Sequence, residues 1–165
     1  MSEETNENGV VDSIEALDFD VNNEYKVDPL IPKSTYHGAV TKVVYDAAGP
    51  AIVWNVCLHD NGGLMNDDST PIDGAVIQFR NWLPKPGDEN IMTKSGKNNK
   101  RQSKINMLKD FEGKMDINMS TPAIIAQALS EQVWLGLEVD VDIDIDEYEG
   151  KFRNVANRMR KSQMY

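Results

Sequence analysis

Only one cysteine, Cys57, stands among 165 residues, so no internal disulfide can form. That fits a reducing compartment, and within its apolar run Cys57 reads as a small buried hydrophobe. Long hydrophobic runs are also missing. No stretch approaches the roughly 20 apolar residues that span a bilayer, and no secretory leader opens the sequence. These absences point to a soluble, cytoplasmic protein with no membrane partner. Histidine is scarce: His37 and His59 have no metal-binding spacing and each reads as a solvated or satisfied side chain. There is no glycine loop for phosphate and no cysteine–histidine nucleophile pattern. Catalysis, a cofactor and a bound metal are therefore not expected. At this length folding buries roughly 70% of the unfolded surface, so a core can form unaided.

What is present is charge, unevenly placed. The net charge of −10 argues against a nucleic-acid partner, but its distribution points the other way. Nine acids and one lysine fall in residues 1–28, and seven acids in 138–149. Between Lys94 and Lys109 there are six basic residues (Lys94, Lys97, Lys100, Arg101, Lys104, Lys109) and no acid. From Lys151 onward come Arg153, Arg158, Arg160 and Lys161, again without an acid. The field at a site follows local clustering, not the molecular sum.

Residues 1–17 carry too little apolar surface to offset the entropy of ordering and are expected to be a disordered acidic tail. The globular part is expected over 18–161, with 162–165 as a short C-terminal end. Two strands are predicted between Thr35 and Leu58, Gly38 marking a bend or bulge in the first and Ala47–Pro50 forming the turn. In the second, Ile52, Trp54, Val56 and Leu58 share one face, which favours a core position for Trp54. A third strand over 74–83 sets Ala75, Ile77 and Phe79 against Gln78, Arg80 and Trp82. Ile105, Leu108 and Phe111 recur at helical spacing and predict a short amphipathic helix ending before Gly113. Thr121 as N-cap and Pro122 at the first position predict a second helix over 122–130.

The final segment is the clearest. Val139, Val141, Ile143 and Ile145 alternate with Glu138, Asp140, Asp142, Asp144 and Asp146, the pattern of a half-buried strand. Glu149-Gly150 supplies a tight turn, and the chain returns through Lys151-Phe152-Arg153-Asn154-Val155. About that turn, Asp146 and Asp144 should face Lys151, Arg153 or Val155, fixing register and protecting an edge. Divalent-cation binding by carboxylates two apart is the alternative, without the wrapping loop that normally accompanies it. Three strands, a helical insertion, then two strands is the order of a mainly β, five-stranded OB-fold-like barrel with the helices between strands three and four. A small sandwich or another α+β fold would also accommodate five strands.

Three pieces of the chain carry a family resemblance. They are LDFDVNNEYKVDPLIPKSTYHGAVTKVVYD near the start, NWLPKPGD with TKSGKNNKRQSKINMLKDF in the centre, and LGLEVDVDIDIDEYEGKFRNVANRM at the end. Together they cover most of 17–160 and resemble small phage proteins regarded as OB-fold single-stranded DNA-binding proteins, encoded beside recombination or replication genes. In that group a Tyr or Phe, Gly-Lys and Asn recur in the last hairpin, as Tyr148, Gly150-Lys151 and Asn154 do here. Many single-stranded DNA-binding proteins carry an acidic recruiting tail at the C-terminus; here the acidic tail is N-terminal and the C-terminus basic.

The expected function is non-sequence-specific single-stranded DNA binding in phage DNA replication or recombination. Cations track phosphates while flat rings stack on bases, each stack contributing roughly 1–3 kcal/mol. Lys94, Lys97, Lys100, Arg101 and Lys104 are the electrostatic candidates. Trp82 is the stacking candidate, with Arg80 beside it as a phosphate or cation–π contact. Tyr148, Lys151 and Arg153 are the hairpin candidates, and the aspartate face should point away from the nucleic acid. The acidic tail is expected to compete for the basic groove or to recruit a phage recombinase or polymerase. Two rivals remain: an interaction or virion module with no nucleic-acid role, supported by the acidic N-terminus with Leu17 and Phe19, and a metal-dependent nuclease built on the clustered aspartates.

Overall fold

The computed structural model describes residues 9–163. The first eight residues of the expected 1–17 tail, and the last two of the expected C-terminal end, lie outside the described residues. Within the remainder of that tail, Ile14–Ala16 form one 3-10 turn that buries nothing. A single-turn helix, α1 (Val21–Glu24), follows, its N-cap Asp20 accepting from the amides of Asn22 and Asn23.

Five antiparallel strands carry the fold: β1 (Ser34–Asp46), β2 (Ala51–Leu58), β3 (Val76–Trp82), β4 (Glu138–Tyr148) and β5 (Lys151–Lys161). They form one sheet in the order β3-β2-β1-β4-β5, with β1 at the centre. The sheet is not hydrogen-bonded into a closed barrel. Its two edges, β3 and β5, nevertheless curl until their Cα atoms come within 8 Å. Helices α2 (Lys100–Met115) and α3 (Pro122–Glu131) lie between β3 and β4 in the chain. No described helix is long and apolar enough to cross a membrane.

Alternation explains the strands. Ile52, Trp54, Val56 and Leu58 of β2 are all buried, as are Val139, Val141 and Ile143 of β4. Trp54 is fully enclosed, stacked on Trp134 at 5.0 Å and edge-on to Phe111 at 5.5 Å. Its indole N–H donates to Asn81 Oδ1 at 2.6 Å, which satisfies both buried polar groups. Phe111 of α2 also stacks on Phe79 of β3, so this helix presses its apolar side into the core. Thr121 caps α3 by accepting from the Ile124 amide, with Pro122 opening the helix.

Two expectations need correction. The bulge in β1 falls between Val40 and Lys42, not at Gly38. Gly38 is instead required by close approach, because a Cβ there would stand 2.6 Å from Val56 Cγ1 and 2.8 Å from the Cys57 carbonyl. Helix α2 does not stop before Gly113 but runs through it to Met115, ending at Asp116 in the left-handed region. The cost of roughly 1 kcal/mol for an internal glycine is offset here by the burial of Phe111 and Met115 on either side.

The segment before β1 is fastened by side chains. Asn154 of β5 accepts from the Ile31 amide at 2.9 Å and donates to its carbonyl at 2.8 Å. Asn66 does the same for Leu30, its side chain accepting from the Leu30 amide at 2.8 Å and its own amide donating to the Leu30 carbonyl at 2.9 Å. A buried Ile31 results, seated in the core.

Candidate nucleic-acid interface

The strand period places Ile77, Phe79 and Asn81 inward and Gln78, Arg80 and Trp82 on the outer face of β3. Trp82 is 49% exposed. One side of its indole lies over the β1–β2 turn, where a Cβ on Gly49 would be 3.2 Å from Cζ3. The Arg80 guanidinium carbon stands 5.8 Å from the ring centroid. Arg80 Nη1 also pairs with Asp46 at 2.9 Å. The Arg80 hydrogen bond, then the Ala48 amide, hold the Asp46 carboxyl below its ordinary range. A guanidinium has five N–H donors, so Asp46 leaves others for a phosphate.

Beside Trp82, β3, α2 and β5 enclose a cleft of about 350 Å³ lined by Arg80, Trp82, Met107, Lys114 and Arg158. Arg158 and Lys114 belong with Trp82 in space, although no sequence pattern singled out Lys114 and Arg158 stood only among the late cations. Lys94 and Lys97 are exposed on the turn that precedes α2. Lys100 and Arg101 occupy the first helical positions, where Asn99 caps by accepting from the Gln102 amide at 2.7 Å. No acid lies in that first turn. Cations at a helix N-terminus oppose the macrodipole by about 0.3–1 kcal/mol each, so helix stability does not explain their choice.

Lys104 has a different role from the one its neighbours suggested. Its ammonium group donates to Asp88 at 2.7 Å and to the Leu83 carbonyl at 3.2 Å, inside the protein. Asp88 is fully buried. The Lys104 hydrogen bond, followed by the Lys85 amide, keeps its carboxyl ionised below the ordinary range. Lys104 therefore fastens α2 to the 83–88 loop and is withdrawn from the exposed cations.

The hairpin has the expected register: Tyr148 faces Lys151, Asp146 faces Arg153 and Asp144 faces Val155. Glu149 and Gly150 both adopt positive φ, 51° and 78°, which is the two-residue turn that matches strand twist. Arg153 lies 5.3 Å from the Tyr148 ring and 3.8 Å from the Asp146 carboxylate. The expected cross-strand pairing of acids with cations is present. The aspartates of β4 and the cations of β5 are cross-strand neighbours on one face, Asp140 opposite Arg160 and Asp142 opposite Arg158. Arg160 reaches Asp142 at 3.2 Å. Burial raises the Asp142 carboxyl, but the Thr35 hydroxyl and Arg160 outweigh it and the net shift is downward. Lys151, moreover, is six residues along β5 from Asn157, the nearest part of the Trp82 cleft. At about 3.3 Å per residue that is roughly 20 Å. The structure thus sets Arg80 and Trp82 on one cleft with Lys114 and Arg158, places Arg101 on a separate groove with Tyr45 and Leu83, and holds Tyr148, Lys151 and Arg153 apart as a second, partly neutralised patch.

Among the described residues, one group could hold a metal ion: His37, His59 and Glu138, whose donor atoms all lie within 4.8 Å of one another. Glu138 first, then Asp60, raise the His59 pKa above its ordinary value by hydrogen bonding. Sequence spacing concealed this group, because 101 residues separate His37 from Glu138. No protein-family model matches the chain, and no curated protein matches it.

Proposed function

We propose that this chain binds single-stranded DNA without sequence preference, in support of phage DNA replication or recombination. The observation that carries the reading is Trp82, a half-exposed indole on an outer sheet face, with the Arg80 guanidinium carbon 5.8 Å from its ring and Lys114 and Arg158 lining the cleft beside it. Stacking on such a ring is indifferent to base identity, and the neighbouring cations follow the phosphates. The strand order supports an OB-fold reading: pairing of the two curled edges, β3 with β5, would complete the five-stranded barrel of that fold. Lys94, Lys97, Lys100 and Arg101 provide the electrostatic track, and the Tyr148–Arg153 hairpin provides a second contact for a longer strand.

Fluorescence anisotropy of a labelled oligothymidine tests this. Affinity should fall with salt, with a log–log slope of about −0.7 per phosphate contacted. Trp82→Ala should weaken binding about 5- to 150-fold, the equivalent of one lost stack. Lys100→Glu with Arg101→Glu should flatten the slope equally for all sequences. No binding at low salt would sink the proposal.

A second reading has its own observation. A groove of about 850 Å³ runs between α2, α3 and the β1–β2 end of the sheet, lined by Tyr45, Ile52, Leu83, Ile105 and Ile125 among others. Its apolar lining suits a peptide segment, and this protein-interaction reading gains if the oligonucleotide fails to bind.

A further inference from the structure

At the other end of β2 from Trp82, three elements bring side chains together. His37 lies in β1, His59 directly follows β2, and Glu138 opens β4. Register enforces the meeting: Gly38 pairs with Leu58, and Ala39 with Glu138. The His59 amide donates to the His37 carbonyl at 3.1 Å, locking the two histidines side by side. Their rings meet edge-on, with centroids 4.6 Å apart.

Each ring has a carboxylate on Nδ1. For His37 it is Asp140 at 3.2 Å, and for His59 it is Asp60 at 2.9 Å. A carboxylate only accepts, so a hydrogen on Nδ1 satisfies each of these contacts and Nε2 is directed the other way. Both Nε2 atoms then converge on one oxygen, Glu138 Oε2, each at 2.7 Å. Each of these contacts is bridged by a proton in the metal-free protein, and release of those protons leaves two imidazole lone pairs and an anionic oxygen facing one point, a place for a cation. Carboxylates on the outward nitrogens are the arrangement that orients metal-bound histidines.

We propose that His37, His59 and Glu138 bind one divalent first-row transition-metal ion, with Zn²⁺ the best match. Two imidazoles disfavour the hard cations Mg²⁺ and Ca²⁺, which take oxygen ligands. Zinc bonds of about 2.0 Å at tetrahedral angles set ligand atoms roughly 3.3 Å apart, so each 2.7 Å contact need open by only roughly 0.6 Å. His37 is nearly enclosed, at 11% side-chain exposure, whereas His59 and Glu138 are about one third exposed at 33% and 30%. The fourth position therefore faces solvent and takes a water. The ion would join β1, the exit of β2 and β4, independently of any nucleic-acid role.

The test uses untagged, chelator-stripped full-length protein titrated with Zn²⁺ and Co²⁺. One equivalent should bind, Co²⁺ should give visible absorption bands, and saturating Zn²⁺ should raise the melting temperature by roughly 5–10 °C. His59→Ala and Glu138→Gln should abolish stoichiometric binding, and Asp60→Asn should weaken it about 10- to 100-fold. Asp144→Asn with Asp146→Asn, elsewhere on the same strand, should change nothing. In the unmutated protein, Zn²⁺ should shift the ring ¹⁵N resonances of both histidines, a readout that does not depend on the variants folding. Absence of that shift, or tight binding that survives loss of both histidines, overturns the proposal.

Discussion

Lys97 and Lys104 lie one heptad apart in the same basic run, yet their surroundings give them opposite roles. Lys97 stands in solvent, whereas Lys104 reaches a fully buried Asp88. Removing one member of a buried pair strands the other without compensation. Lys104→Met should therefore lower the melting temperature by roughly 10 °C. Lys97→Met should leave melting within roughly 1–2 °C of the parent, while weakening oligonucleotide binding. Circular dichroism melts beside anisotropy separate the two effects, and equal melting curves for both variants would refute the structural role given to Lys104. A sequence shows both residues as one cluster. What sorts them is an acid 16 positions away, and no spacing rule connects Asp88 to Lys104.

Among the elements, the β4–β5 hairpin was the most legible, because period-two alternation and a two-residue turn are both local. The register from Asp144 to Arg153 follows from counting about Glu149-Gly150. Counting fails beyond Ile143, where a second irregularity pairs Asp142 with Arg158 in place of Asn157. Like the bulge near Thr41, it reflects how the strands bend round the core, a tertiary cause without a local marker. The parity of β3 set Trp82 opposite Ile77 and Phe79 but left its burial at a barrel end open, whereas the parity of β2 favoured core for Trp54. The histidine–glutamate group was invisible, since it depends on β1 pairing with both neighbours at once. The hairpin also supports a measurement. Glu149 sits at φ 51°, where asparagine is better tolerated. Glu149→Asn should raise the melting temperature by roughly 1–3 °C, and Gly150→Val should lower it. A fall in the asparagine variant would contradict the turn geometry.

Across the whole molecule, several carboxylates are held below their ordinary range. Asp67 is lowered to about 2, chiefly by the Thr70 hydroxyl and then by the Thr70 and Ser69 amides. Asp73 is lowered by the amides of Asn61 and Gly62, and Asp46 and Asp88 by their basic partners. A carboxyl depressed on folding stabilises above its unfolded value, near pH 4, and loses that contribution as pH falls through the folded value. Melting temperature should drop between about pH 4 and 2. Asp67→Asn should make the lower part of that drop shallower; a protein that grew more stable as pH fell from about 4 to 2 would refute this role for the carboxylates. The central place of β1 has a further consequence, for synthesis. One of its edges pairs with β2 almost at once, but the other waits for β4, which begins 92 residues after β1 ends. At roughly 5–20 residues per second, a ribosome leaves that flank bare for about 5–20 s. The nascent chain passes through a stage in which half a sheet seeks a partner, and neighbouring chains on the same messenger offer the same unfilled edge.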